Sequence, residues 1–258
     1  MSFFDKFPAM ERADLRDLKK GIDSSFKEFS RSWGEGIEAF FDPLFYFLVN
    51  FEKLLLATPW PIIIAIVAAL SYLGSRSWKL SAGAAISFLV IGYLGMWNNT
   101  MSTVALISVA TFICIALGIP IGIAMSRSDR LQAMITPILD IMQTIPIFVY
   151  LLPVVMLLGI GKVPGLIAVC VYAMPPIVRL TNLGLRLVDK EILEAADAFG
   201  SNYRQRLFSV QLPLALPNIF AGVNQTIMMA LAMVVIASMI GVKAVSYTHL
   251  TLPTMLMV

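Results

Sequence analysis

Residues 80–126 read LSAGAAISFLVIGYLGMWNNTMSTVALISVATFICIALGIPIGIAMS, 47 positions without an Asp, Glu, Lys or Arg. A helix that crosses a bilayer needs about 20 apolar residues, so this run holds two crossings, divided near Trp97-Asn98-Asn99-Thr100. Four more uncharged stretches cover 54–75, 141–161, 163–178 and 207–242. Charged residues make up 14% of the 258, against about 25% in soluble domains. Half of them, 18 of 35, fall in the first 53 positions. Mean hydropathy is +0.83. The chain therefore reads as an all-α, polytopic helical membrane protein. Six spans are expected, at 59–75, 80–97, 101–125, 137–160, 163–185 and 219–242.

Basic residues mark the cytoplasmic side of a membrane protein. Under strict alternation, Arg76 and Lys79, then Arg127 and Arg130, then Arg186, Lys190, Arg204 and Arg206 all fall on one side. The opposite loops carry only Lys162. This sets the expected orientation, with the N-terminus outside and the 186–217 loop inside. No basic stripe points to nucleic acid. Cys114 and Cys170 both fall within spans and read as small apolar packing rather than a disulfide. The N-terminus shows no cleavable signal peptide.

Residues 1–58 form an amphipathic tail and interfacial helix. Leu15, Leu18, Ile22, Phe26, Phe29 and Trp33 recur at helical spacing. A second stripe follows with Ile37, Phe41, Leu44, Leu48, Phe51 and Leu55, with Glu38, Asp42 and Glu52 on other faces. Such a helix lies on the membrane or buries its stripe against the protein. Residues 59–98 form two N-terminal spans, and 99–243 the core.

Between the last two spans lies Glu194-Ala195-Ala196-Asp197-Ala198-Phe199-Gly200. The surrounding loop, 186–217, reads as two short helices. Asp189 can cap the first, because its carboxylate accepts from unpaired backbone N–H groups. Glu191 and Glu194 sit in its early turns, where negative charge complements the helix dipole. Gly200 supplies a left-handed stop. Ser201 is expected to cap the second helix, Asn202 to Leu212, which Pro213 and Pro217 would end. A short, ordered, charged element between spans is suited to a cytosolic partner, and an ordinary helical hairpin is the plainer reading.

The spans are broken by Pro120, Pro146, Pro153, Pro175 and Pro176, alongside Gly118, Gly122, Gly159 and Gly161. Interrupted helices need their freed backbone groups satisfied by neighbours or a water-lined cavity, and such breaks often mark a substrate path. Gln143, Thr144, Pro146, Tyr150, Pro175, Asn224 and Gln225 are candidates to line it, though the polar groups of 143–146 and 224–226 read as inter-helix hydrogen bonding first and path lining second. Asp140 and Arg179 are the ionisable residues nearest the spans and read as interfacial anchors or partners of loop charges. No phosphate-binding loop, metal motif, Cys pair at metal spacing or nucleophile–base set is present. The expectation is a non-catalytic chain with no metal and no cofactor, powered by another subunit.

From about residue 100 to 242 the sequence resembles the permease subunits of glycine betaine/proline-type ABC importers. The resemblance rests on Leu139-Asp140-Ile141-Met142-Gln143-Thr144-Ile145-Pro146, Phe148-Val149-Tyr150-Leu151 and Gly159-Ile160-Gly161. It continues with Pro175-Pro176-Ile177-Val178-Arg179-Leu180-Thr181-Asn182 and the long run from Glu194 through Arg204-Gln205-Arg206. Gln211-Leu212-Pro213, Ala221-Gly222-Val223-Asn224-Gln225-Thr226 and Val234-Val235-Ile236-Ala237-Ser238-Met239-Ile240 complete it.

The resemblance implies a type I importer core and a homodimer in a bacterial plasma (inner) membrane, surrounded by lipid. Glu194, Ala195, Ala196, Asp197, Gly200, Ser201 and Arg204 would form the loop that docks into cytosolic ATPase subunits. An extracytoplasmic binding protein would deliver the osmoprotectant. A permease for another small solute, or a membrane scaffold for a soluble enzyme, are the alternatives. Related permeases continue past Gly241 with a further span. Residues 244–258, threonine-rich and carrying His249, read as non-native sequence after a C-terminal truncation, with a genuine short polar C-terminus as the alternative.

Overall fold

The computed structural model describes residues 12–159 and 161–238. The end of the expected last span, Ile160, and the whole 244–258 tail with His249 lie outside the described residues. The chain divides into two compact units at Pro43 and Leu44. Helix α1, Arg12–Ala57, provides the described part of the first unit. There Leu18 and Ile22 stand exposed, and Ser24 and Ser32 return their hydroxyls to the carbonyls of Gly21 and Glu28. Leu15, Phe26, Phe29, Trp33 and Ile37 of the expected stripes are outside the described side chains.

In the second unit, α2 (Trp60–Ser75) and α3 (Trp78–Tyr93) form a hairpin. Arg76, in the left-handed conformation at φ +48°, turns the chain between them. Ser81 Oγ donates to Ala68 O across the pair at 2.7 Å. Next come α4 (Trp97–Arg127), α5 (Asp129–Thr144), α6 (Ile147–Leu158) and α7 (Lys162–Arg186). After α8 (Lys190–Ala198) and α9 (Tyr203–Gln205), a π-helical turn at Arg206–Gln211 leads into α10 (Leu212–Ser238).

Small residues set the packing of α4, α7 and α10. A Cβ on Gly118 would lie 2.5 Å from Ile177 Cγ2, and one on Gly122 would lie 2.6 Å from Thr181 Cβ. Gly184 faces Ala215 and Asn218 in the same way, and Gly222 faces Ile177 and Leu180. Helices in lipid gain little from hydrophobic burial against one another, so close backbone approach carries the association. Gly118 and Gly122, expected as breaks, instead lie inside the unbroken α4 with Pro120 between them. Cys114 and Cys170 are free thiols in this seam. Cys114 Sγ points to Cys170 O at 3.6 Å and Cys170 Sγ to Ala110 O at 3.9 Å.

These contacts also fix direction. Gly118 meets Ile177 and Gly122 meets Thr181, so α4 and α7 run parallel, whereas Gly184 meeting Ala215 and Gly222 meeting Ile177 makes α10 antiparallel to α7. Two parallel spans must be joined by one return crossing, so α5 and α6 share it. They meet at an 88° bend around Ile145 and Pro146, where a single span over 137–160 was expected. Pro146 lacks an N–H and clashes with an incoming helix, and it caps α6 at φ −53°, ψ 131°.

Among the described residues, three helices are long and apolar enough to cross a membrane alone, at Trp97–Arg127, Lys162–Arg186 and Tyr203–Ser238. Two bent pairs, Phe41–Ala57 with Trp60–Ser75 and α5 with α6, bring the number by length and composition up to five when each pair counts as one span. The expected 80–97 span is the shorter α3, of 16 residues, and the divide from α4 falls at Gly95, φ +75°.

Within the second unit, Leu48 is buried, with Leu44, Phe51 and Leu55 packed on the core. Glu52, expected away from the apolar stripe, is also buried. It is ion-paired with Lys162 and accepts from Ser102 Oγ at 2.7 Å. A carboxylate out of water needs such partners.

The glycine seam predicts an asymmetry. Gly122→Val should destabilise the protein by about 1–3 kcal/mol through overpacking. Gly83→Ala, with nothing within 4 Å of its Cβ, should be neutral. Aggregation temperature of the detergent-solubilised protein measures both.

Candidate functional site

The end of the bundle where α4 and α7 both finish gathers the arginines. Arg186 Nη1 pairs with Asp129 at 2.7 Å, and its Nη2 donates to Met125 O at 3.0 Å. That carbonyl, in the last turn of α4, accepts as well from the capping Ser128 N–H at 3.4 Å. Arg186 Nε donates to Asn182 Oδ1 at 3.1 Å. One side chain thereby ties α7 to α4 and to the start of α5.

From this base projects α8. Asp189 Oδ1 accepts from Glu191 N–H at 3.0 Å, the cap its sequence called for. At the other end Ser201 N–H reaches Ala196 O at 3.1 Å, and Gly200 N–H reaches Asp197 O at 2.9 Å. That bond pair defines a Schellman stop, and Gly200 holds φ +77°, a conformation costly for residues with a Cβ.

No residue of α8 is buried. Glu194, Ala195 and Asp197 are exposed and Ala196 is half-buried. Phe199, beside them, is 93% exposed. Its ring stands uncovered beside an ordered turn. Sequence reasoning did not single it out, because an aromatic after an alanine-rich turn reads equally well as buried.

The return from α8 differs from expectation. Asn202, not Ser201, caps the next helix: Asn202 Oδ1 accepts from Gln205 N–H at 3.0 Å and Gln205 Oε1 from Asn202 N–H at 2.9 Å. This is a reciprocal capping box. Ser201 Oγ is buried and has no hydrogen-bond partner among the described residues. Nor do Pro213 and Pro217 end a helix. The π turn lets Leu212 N–H bond Leu207 O, five residues back, and the helix continues through both prolines from Tyr203 to Ser238.

Arg206 pairs with Asp197 at 2.7 Å, fastening α8 to the start of this helix. The guanidinium carbon of Arg127 lies 4.4 Å from the Tyr203 ring centroid, within cation–π range. Arg204 is exposed.

The candidates for a path gather in part. Gln143 and Thr144 end α5, Pro146 opens α6 and Tyr150 follows one turn later. The Tyr150 hydroxyl is buried without a partner among the described residues. Gln143 Nε2 lies 3.4 Å from Met229 Sδ, which brings the bend against α10. Gln225 sits one turn before Met229 on that helix, and Asn224 and Gln225 are exposed. Pro175 stands apart, buried inside α7. Asp140 and Arg179, expected as interfacial anchors or partners of loop charges, pair with each other at 2.5 Å across α5 and α7. No group of His, Cys, Asp and Glu suited to a metal occurs among the described residues.

An all-α membrane bundle with a charged, ordered hairpin beyond one end has the organisation of a transport permease. Residues 114–252 match the family described as the inner membrane component of binding-protein-dependent transport systems, and the chain belongs to that family. It is 49% identical over 205 residues to the glycine betaine/proline betaine transport system permease protein ProW of Escherichia coli (strain K12), covering 78% of this chain and 56% of that protein. It is 42% identical over 242 residues to the glycine betaine transport system permease protein OpuAB of Bacillus subtilis (strain 168), covering 92% of this chain and 82% of that one. The glycine betaine/carnitine transport permease protein GbuB of Listeria monocytogenes serotype 1/2a (strain 10403S) is 45% identical over 188 residues, 72% of this chain and 67% of that protein. The chain spans about half the length of the Escherichia coli and Salmonella typhimurium relatives, 56% and 44%.

The Schellman stop makes a local prediction. Gly200→Val should cost about 1–2 kcal/mol of backbone strain and speed hydrogen exchange at the amides of α8, while exchange in α7 stays unchanged.

Proposed function

We propose that the chain is the membrane-spanning subunit of an ATP-driven importer for glycine betaine, proline betaine, proline or a related quaternary amine. Residues 99–243 serve as its transport core, accompanied by the helices of 59–98 and the tail of 1–58. The arginine end faces the cytosol of a bacterial inner membrane and the N-terminus lies outside, a reading supported by the gathering of Arg127, Arg130, Arg186, Arg204 and Arg206 on one side. A separate cytosolic ATPase hydrolyses the nucleotide and an extracytoplasmic binding protein delivers the solute. Two copies of the permease form the working unit. The relatives named for glycine betaine transport support the substrate class.

The observation that carries this reading is the exposed α8 hairpin, with Phe199 and Glu194 presented outward and Arg206–Asp197 fastening it to the helix that becomes α10. An ATPase that grips Phe199 moves α8, and the ion pair passes the displacement to a span. Glu194, Ala195, Ala196, Asp197, Gly200, Ser201 and Arg204 belong to the gripped element. Gln143, Thr144, Tyr150, Asn224 and Gln225 offer polar groups along the crossing, and Pro146 sets the α5–α6 bend beside them. Pro175, buried in α7, shapes the helix rather than the path.

Uptake of labelled glycine betaine into vesicles tests this directly. With ATPase and binding protein present, accumulation should require ATP; ATP-independent accumulation, or none, defeats the reading. Glu194→Lys and Gly200→Pro should abolish co-purification of the ATPase while membrane insertion persists. Phe199→Ala should weaken that association by about 2 kcal/mol, the loss expected for a central aromatic anchor, and unchanged ATPase binding would remove the coupling role.

A further inference from the structure

Beside the hairpin, on the side of α4, lies a second feature that shares only Arg204 with the element assigned to the ATPase. A groove of about 500 Å³ opens between the last turns of α4 and the first turns of the helix beginning at Tyr203. Pro120, Ile123 and Ala124 line it on one side, and Leu207 and Phe208 on the other. At its mouth stand Arg127, over the Tyr203 ring, and Arg204, the residue after that tyrosine. We propose that this groove binds an anionic phospholipid, with the phosphate at the two arginines and an acyl chain along the apolar walls.

Depth argues for a lipid. From Arg127 back to Pro120 the helix rises about 10 Å at 1.5 Å per residue, and both lie in a helix apolar enough to cross a bilayer. The floor of the groove therefore lies in hydrocarbon while its mouth lies at the headgroups. A water-soluble partner docking on α8 cannot extend polar surface to that depth without losing its hydration. A lipid matches both ends at once.

Charge selects the headgroup. Two carboxylates near the mouth are already engaged, Asp197 with Arg206 and Asp129 with Arg186. No acidic residue lines the groove. Among the described residues neither Arg127 nor Arg204 forms an ion pair or donates a hydrogen bond to the protein. Stacking on the Tyr203 face at 4.4 Å orients the Arg127 guanidinium while leaving its in-plane N–H donors for an acceptor. A planar fork of that kind suits a phosphate. Basic pockets between spans on one leaflet are a recognised route to acidic headgroups.

The groove adjoins both the hairpin and the root of α10. A lipid seated there would brace the Arg127–Tyr203 contact from the membrane side, so the order of the coupling element would depend on the acidic lipid content of the leaflet.

The test uses the purified full chain and its Arg127→Gln, Arg127→Gln/Arg204→Gln and Ala124→Phe variants. Phospholipids retained through detergent purification are quantified by mass spectrometry. Thermal stability is then followed on adding phosphatidylglycerol, phosphatidylcholine or glycerol 3-phosphate. The wild type should retain phosphatidylglycerol above its share of the membrane and be stabilised by it alone. Each arginine removed should lower that preference about fivefold. Ala124→Phe should lower total retained lipid without changing the preference among what remains. If that variant does not fold, the arginine series decides. Equal stabilisation by phosphatidylcholine overturns headgroup recognition, and stabilisation by glycerol 3-phosphate alone overturns the acyl-chain site. Oxidative cross-linking of Ala124→Cys between two copies in native membranes would show that protein, not lipid, fills the groove.

Discussion

Close backbone approach along α7 is the constraint on which the rest of the bundle depends. Gly118 and Gly122 of α4, Gly222 of α10 and Gly184 of α7 itself each sit where an added Cβ would press into a neighbouring helix. In lipid, where apolar side chains find equally apolar surroundings on every side, such shape matching decides which helices associate. The seam also sets helix direction. It makes α4 and α7 parallel, which obliges α5 and α6 to divide one crossing between them. The proline-marked bend at Ile145 is thus placed by topology as much as by local chemistry.

Direction in turn sorts charge. Parallel α4 and α7 finish at the same end, so Arg127 and Arg186 meet there and the hairpin of α8 and α9 is built on them. The Glu52–Lys162 pair, with Ser102, lies at the opposite end, where α4 and α7 begin. The two ends are held differently. One is a spread of arginines on aromatic and acidic partners, partly open to solvent. The other is a single buried carboxylate clamped from two helices, an arrangement that tolerates loss of either partner poorly.

Much of this was legible in the residues. Long uncharged runs gave the class, basic loops gave one consistent side, and Asp189 and Gly200 gave the limits of α8. The misses have two physical origins: a local choice between near-equivalent geometries, and contacts with groups distant in sequence. Pro213 and Pro217 look like helix ends, because nothing nearby in sequence announces a π turn that accommodates them. Asn202 and Ser201 are adjacent capping residues, and only the reciprocal bond to Gln205 separates them. Gly118 and Gly122 read as flexibility until Thr181 and Ile177 are seen against them. Asp140 and Arg179 are 39 positions apart, and no periodicity pairs them. Phe199 carried no signal at all, since exposure of an aromatic is decided by what the rest of the fold leaves uncovered.

The wide turn at Arg206–Gln211 acts as a phase adjuster. Leu207 and Ala215, both buried, are eight positions apart, which in an uninterrupted α-helix would leave them about 80° apart around the axis. With one residue absorbed by the turn, the offset falls to about 20°. The stretch before the turn and the long helix after it therefore present their apolar sides to the same neighbours. Losing a single residue from this turn would close it into a plain α-helix and keep the two halves in the same phase, whereas the same deletion further along α10, with the turn left wide, would rotate them by about 100°.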